Sequence, residues 1–278
     1  MLDGKVYIMN KYRLIACDLD GTLLNSEMKL SRENYRAIKE LTKQGIVFVP
    51  TTGRTLCEMG EVTDLPEIRY MIYSNGSAIL DKETDETISL GLVGENSRFV
   101  YNVLKKYDAF IVMHKNGQTC YDKEMIKRIP EFEFCADVSE LVEVYARAFD
   151  DFEKEFVSGE IESVSGFFIN EKAKDKCKEE LSENPDLYVA EAWERNLEVF
   201  FKDAGKGNAL KILTEKLGVD MQEVLSIGDS NNDGQMTAMS GLGLATANAC
   251  ESLKEIADEV ICTNDEHVVK YVLQHYFK

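Results

Sequence analysis

Short apolar runs that end in polar clusters recur along this chain. Leu14-Ile15-Ala16-Cys17 leads into Asp18-Leu19-Asp20-Gly21-Thr22, and Ile46-Val47-Phe48-Val49 leads into Pro50-Thr51-Thr52-Gly53-Arg54. Val224-Leu225-Ser226-Ile227 leads into Gly228-Asp229-Ser230-Asn231-Asn232-Asp233, and Met71-Ile72-Tyr73 into Ser74-Asn75-Gly76. Near-continuous apolar strands are covered on both faces, as in a parallel sheet between helices. The pattern therefore predicts an α/β fold with a doubly wound parallel sheet. Ligands of such sheets bind beyond the carboxyl ends of the strands, where all four polar clusters fall.

Helical periodicity fills the gaps. Ser31 is placed to cap a helix running to Lys43, with Tyr35, Ile38 and Leu41 on one stripe and Gly45 ending it. A second helix starts near Gly207 with Leu210, Leu213 and Leu217 inward, and Asp220 to Glu223 has capping-box spacing. Residues 84–201 break the rhythm. Strand-like pieces at 110–113, 166–170 and 197–201 lie between charged helical stretches such as 138–148 and 171–183. None of them delivers a comparable acidic or Gly-rich cluster. They read as a second α+β domain inserted into the first, so that residues 1–83 and 202–278 form one discontinuous domain. Residues 1–12 read as a short extension before the first core strand.

Composition narrows the picture. Of 278 residues 44% are hydrophobic, enough for a large core. The apolar runs fall well below the roughly 20 residues of a membrane span, and the first residues carry no signal-peptide pattern, so the expected location is cytoplasmic. Seven scattered cysteines form neither a CxxC pair nor a His/Cys cluster, which fits reduced thiols. A net charge of −18 repels nucleic acid and anionic membrane alike, and neither is an expected partner. It also repels a phosphorylated metabolite. A site for one must be locally positive, through a cation, Lys or Arg, and helix N-termini.

The chemistry concentrates at Asp18 and Asp20, two carboxylates just past a strand with Gly21 permitting the turn. Asp and Gly are also ordinary turn residues. Here the pair is bracketed by an apolar strand and Thr22-Leu23-Leu24, and matched by the second acidic loop with Asp229 and Asp233. If the two strands are neighbours, four carboxylates converge and require a cation. Hard oxygen ligands with room for water suit Mg²⁺.

At these residues the chain resembles the haloacid dehalogenase superfamily, specifically its Cof-type hydrolases with a cap inserted after the second motif. The resemblance rests on residues 18–24, 51–54, 74–76, Lys206-Gly207 and 228–233, in that order. It implies a Rossmann-like core with an α+β cap and hydrolysis of a phosphomonoester of a small metabolite, such as a sugar phosphate. By the same resemblance Asp18 is the nucleophile, and its other oxygen binds Mg²⁺. Asp20 gives a proton to the leaving group, takes one from water, and lends a backbone carbonyl to the metal. Asp229 is a further metal ligand. Thr52, Gly53, Lys206 and Asn232 hold the phosphoryl group, and Asp233 stands behind them, holding Lys206 or a metal-bound water.

Taken alone, Thr52 reads equally as the cap of a helix beginning near Arg54, and Lys206 as a solvated surface residue. Arg54 reads as structural. His114, His267 and His275 flank no acid pair and read as non-catalytic. Trp193 and Arg195 close the insert and are candidates to face the substrate. Cys17, Thr51 and the segment Ala245-Thr246-Ala247-Asn248-Ala249 depart from the family pattern, at packing and loop positions. A phosphomutase on the same core and a catalytically silent phosphate-binding regulatory module are the competing readings.

Overall fold

The computed structural model describes residues 11–132, 146–191 and 194–277. Contacts divide the chain into two compact units. The first lies within Met1–Thr51, Pro66–Met71 and Leu210–Lys278, and the second within Thr52–Leu65 and Ile72–Ala209.

The first unit is built on a five-stranded parallel sheet. Its strands, in spatial order, are Glu259–Val260, Leu242–Ala245, Val224–Gly228, Leu14–Cys17 and Val47–Pro50. Leu14–Cys17 is fully buried and lies between strands from opposite ends of the chain, so its carboxyl end is the point where the strand order reverses. Helix Arg32–Lys43 is capped by Ser31, whose hydroxyl accepts the Asn34 N–H at 3.1 Å. Its buried stripe is Asn34, Ala37, Ile38 and Leu41, and Tyr35 is only half-buried. Asn34 takes the inward place because it has three backbone partners. Its amide donates to Leu23 O at 3.1 Å and accepts from Val269 N at 3.0 Å and Lys270 N at 3.4 Å. It thereby satisfies the start of helix Val268–Tyr276.

The second unit carries a six-stranded sheet in the order Leu187–Ala190, Asn196–Phe201, Ser163–Phe167, Phe110–Lys115, Gln118–Asp122 and Ala146–Phe149. Neighbours are antiparallel except the last pair. Alternate residues Ile111, Met113, Cys120, Val164, Leu197 and Val199 point to one face. There they pack against Val100 and Leu104 of helix Gly94–Lys106, Phe152 and Phe156 of helix Phe152–Val157, and Cys177 and Leu181 of helix Glu171–Ser182. The opposite face is apolar at one end only, where Phe110, Val112, Tyr121 and Phe167 meet Phe132.

Three expectations change. Residues 71–73 belong to a separate three-stranded sheet, ordered Tyr70–Tyr73, Ala78–Asp81, Glu86–Ser89, and not to the parallel one. The last two form an antiparallel hairpin, so residue 84 lies in its turn. Residues 146–148 are strand where a helix was expected, because they pair with residues 119–121 and fill a sheet edge; residues 138–145 lie outside the described segments. The helix expected at Arg54 is a short turn at Leu56–Glu58 capped by Thr55 and Glu58. No helix among the described residues is long and apolar enough to cross a membrane.

Candidate active site

Asp18 follows strand Leu14–Cys17 directly, and its N–H extends the ladder to Ile227 O at 3.0 Å. The chain then coils once: Leu23 N donates to Asp18 O at 3.1 Å and Leu24 N to Leu19 O at 2.8 Å. Asp20 stays extended and Gly21 takes φ +72°, a left-handed conformation that a side chain disfavours. A Cβ on Gly21 would also lie 2.4 Å from Asp229 Oδ2, so any side chain there would have to displace the Asp229 carboxylate.

The partner loop is organised by Asp233. Fully buried, its Oδ2 accepts the backbone N–H of Asp229 and of Ser230, both at 3.0 Å. Ser230 Oγ donates to Asn232 Oδ1 at 2.7 Å, and Asn232 is exposed. Two residues without an expected role complete the joint: Thr22 Oγ1 donates to Asp229 Oδ1 at 3.5 Å, and Asn248 Nδ2 donates to Gly21 O at 2.8 Å. The position of Thr22 straight after Gly21 was the only sequence hint of either.

Asp18, Asp229 and Asp233 each offer a carboxylate oxygen, all within 4.8 Å of one another. Asp18 and Asp233 are buried and Asp229 half-buried. Like charges at that spacing repel by roughly 3 kcal/mol per pair at an effective dielectric near 20. An all-oxygen donor set open to solvent on one side fits a hard divalent cation such as Mg²⁺, not zinc. Among the described residues this is the only such group of acidic, His or Cys side chains. Three of the four carboxylates expected to converge, Asp18, Asp229 and Asp233, lie together; Asp20, half-buried two residues after Asp18, is not one of the group.

The remaining expected residues lie in the second unit, where they are brought together. Thr52 is fully buried; its N–H donates to Ile72 O at 2.9 Å, and its carbonyl accepts the Asn75 N–H at 3.0 Å. Thr52 Oγ1 accepts the Arg54 N–H at 3.1 Å, so the hydroxyl shapes a turn and keeps its own proton to donate. A Cβ on Gly53 would lie 3.0 Å from the Asn75 amide, and one on Gly76 would lie 2.3 Å from the Gly205 carbonyl. Gly76 thus lets the backbone before Lys206 approach. Lys206 is the first residue of helix Lys206–Leu217 and only 1% exposed, not a surface lysine.

Arg195 donates to Ile169 O at 2.9 Å, and Trp193 lies outside the described residues. His114 is not isolated from acids: it faces Glu58 within the second unit, and burial holds its pKa below the ordinary histidine value.

A family model described as haloacid dehalogenase-like hydrolase matches residues 15–273. The phosphatase YwpJ of Bacillus subtilis is 32% identical over 95% of this chain and 99% of its own length. The 5-amino-6-(5-phospho-D-ribitylamino)uracil phosphatase YcsE of the same organism is 30% identical over 95% of each chain. Among solved structures, a protein from Thermotoga maritima is similar with a TM-score of 0.81 and 25% identity, over 96% of this chain and 98% of that one. A haloacid dehalogenase-like hydrolase from B. subtilis is similar at 0.76 and 27%, over 95% and 99%.

Proposed function

Because the chain belongs to the haloacid dehalogenase-like hydrolases and is a phosphatase, we propose that it hydrolyses the phosphomonoester of a small metabolite, a sugar phosphate or similar polyol phosphate, through a phosphoenzyme on Asp18. The observation that carries this reading is the convergence of Asp18, Asp229 and Asp233 at the carboxyl ends of the neighbouring strands Leu14–Cys17 and Val224–Gly228. The substrate of YcsE, a phosphoribityl compound, supports the substrate class.

Asp18 attacks phosphorus, and the bond to the leaving oxygen breaks as Asp20 delivers its proton to that oxygen. Water then attacks the same phosphorus, Asp20 takes up its proton, and phosphate leaves with Asp18 restored. Mg²⁺, held by Asp18, Asp229 and the backbone carbonyl of Asp20, would cancel the charge that otherwise keeps a carboxylate from a phosphate. Asp233 holds the turn that presents Asp229. Thr52 donates its hydroxyl proton to a phosphoryl oxygen, Gly53 leaves room for that oxygen, Asn232 donates to another, and Lys206 balances their charge. Residues 84–201 serve as the inserted cap that selects the leaving group, and residues 1–83 and 202–278 as the core. The described cysteines form no disulfide with one another, which favours a cytoplasmic setting.

The test is hydrolysis of an aryl phosphate with and without Mg²⁺, by wild type and Asp18→Asn. The expected result is activity that chelator abolishes and Mg²⁺ restores, and a loss of at least a thousand-fold in the variant with no trapped phosphoenzyme. Retention of more than a few per cent of the wild-type rate by Asp18→Asn would remove Asp18 as nucleophile.

A further inference from the structure

The coil Leu19–Leu23 carries Asp20, and its backbone is irregular at that residue. Asp18, immediately before the coil, is fixed by the sheet ladder to Ile227. Asp20 lies beyond the ladder, extended at φ −77°, ψ 124°, and left-handed Gly21 follows it. A turn of either peptide would swing the Asp20 carboxyl, so its direction depends on what holds the coil.

Among the described residues, three asparagine side chains donate to this backbone, all of them in the first unit. Asn248 Nδ2 donates to Gly21 O at 2.8 Å, Asn34 Nδ2 to Leu23 O at 3.1 Å, and Asn264 Nδ2 to Leu24 O at 3.0 Å. Two of the three are joined: Asn248 Oδ1 accepts the Asn264 N–H at 3.0 Å. The Asn248 amide therefore uses a donor and its acceptor at once, which fixes its orientation. Asn264 opens the turn Asn264–Glu266, closed by Thr263 and Glu266. The next residue of that turn, Asp265, accepts the Ser26 N–H at 2.9 Å and the Ser26 hydroxyl. Coil and following segment are thus tied to one turn near the end of the chain.

The three amides differ in setting. Asn34 is buried and also serves helix Val268–Tyr276, so it belongs to the fold. Asn248 is exposed and Asn264 half-buried. A typical hydrogen bond contributes only about 0.5–1.5 kcal/mol net, so stability gives little reason for two linked amides there. Their geometric effect is larger: they fix two carbonyls of the turn that begins at Asp20. A proton donor must lie within roughly 2.6–3.2 Å of the oxygen it protonates, and a misplacement of about 1 Å can cost a hundred-fold.

We propose that Asn248 and Asn264 are positioning residues for Asp20: linked to each other, they lock the carbonyls of Gly21 and Leu24 and so hold the Asp20 carboxyl in the orientation that protonates the leaving oxygen. This rests on the reading of Asp20 above as the proton donor, and it assigns the support that reading leaves open.

The experiment measures kcat/KM, with Mg²⁺, for phenyl phosphate and p-nitrophenyl phosphate. The two are closely similar in shape, but phenolate is as basic as a tyrosine side chain and needs a proton to leave, whereas nitrophenolate leaves readily. Asp20→Asn sets the scale: it should lower the ratio of phenyl to p-nitrophenyl phosphate about a hundred-fold, the low end of what a general acid supplies. Asn248→Ala and Asn264→Ala should each lower that ratio about ten-fold. They act through separate carbonyls, so each variant, its melting temperature verified, tests the proposal by itself. Ser26→Ala, which loosens only the segment beyond the coil, should leave the ratio unchanged. Asn248→Ala added to Asp20→Asn should lower the ratio no further, because no proton donor is left to position. Inhibition by inorganic phosphate should stay within about two-fold of wild type in both alanine variants, since the groups that bind it are untouched.

An unchanged ratio in either alanine variant overturns the proposal. Equal losses on both substrates, or weakened inhibition by phosphate, do the same, since they mark a general distortion of the site. So does a further fall of the ratio in the double variant. Equal losses on both substrates in Asp20→Asn itself strike instead at the reading of Asp20 as proton donor, and the proposal falls with it.

Discussion

The carboxylate of Asp233 accepts the backbone N–H of Asp229 at 3.0 Å, so one acidic residue of the loop sets the position of the other. The same oxygen takes the Ser230 N–H, closing a capping box with Asp233 at its third position. This explains how a fully buried carboxylate is tolerated beside two others.

Asp233→Ala leaves two backbone donors without a partner. The expected cost is about 2–3 kcal/mol of stability, which for a protein of this size lowers Tm by roughly 5–10 °C. Activity should fall at least ten-fold through displacement of Asp229. Asp233→Asn keeps an acceptor oxygen and should lose markedly less stability. Thermal melts of both variants check the difference.

Gly21→Ala combines a left-handed backbone with a Cβ 2.4 Å from Asp229 Oδ2. The backbone penalty alone is about 1–3 kcal/mol. The larger effect should be on function: kcat/KM on an aryl phosphate should drop about a hundred-fold, with a raised Mg²⁺ requirement. A variant as active as wild type would show that Asp229 does not depend on this approach.

Asn34→Leu keeps roughly the volume but strands Leu23 O and the Val269 N–H, which the amide now serves. The expected loss is about 2–4 kcal/mol. Faster amide hydrogen exchange should be confined to the start of helix Val268–Tyr276 and the segment near Leu23.

Glu198 predicts the pH dependence of stability. Its carboxyl holds a proton more tightly in the folded chain, at about 7 against an ordinary 4.5. The folded state therefore binds more protons than the unfolded one between those values, and this contribution to stability declines as pH rises from 4.5 to about 7. Glu198→Gln, which cannot ionise, should show a flatter Tm profile across that window and exceed wild type at pH 7.5. Parallel profiles for the two proteins would contradict the assignment.

Much of this protein is decided locally and was legible in the chain. Three apolar strands, each followed by its polar cluster, locate the parallel sheet and its reactive edge. Residues 18–22 carry their own turn chemistry: two carboxylates, then a glycine at the one position that needs φ +72°. Ser31 and the Asp220–Glu223 pair likewise act within one turn of their own helices. Such features depend on neighbours a few residues away, and residue type suffices to read them.

Tertiary structure alone decided the rest, because it turns on groups far apart in the chain. Asn34 is polar, so periodicity assigned the inward place to Tyr35; only the docking of the C-terminal helix supplies the backbone groups that make a buried amide favourable. Residues 71–73 have the composition of a parallel strand, yet their hydrogen bonds go to another sheet. Lys206 reads as a surface lysine until its burial is known. His114 and Glu198 lie on separate strands with no motif between them; sheet register sets them on one face, and Glu58 of the Leu56–Glu58 turn acts on both. There, the loss of water and of partners changes what each group can do.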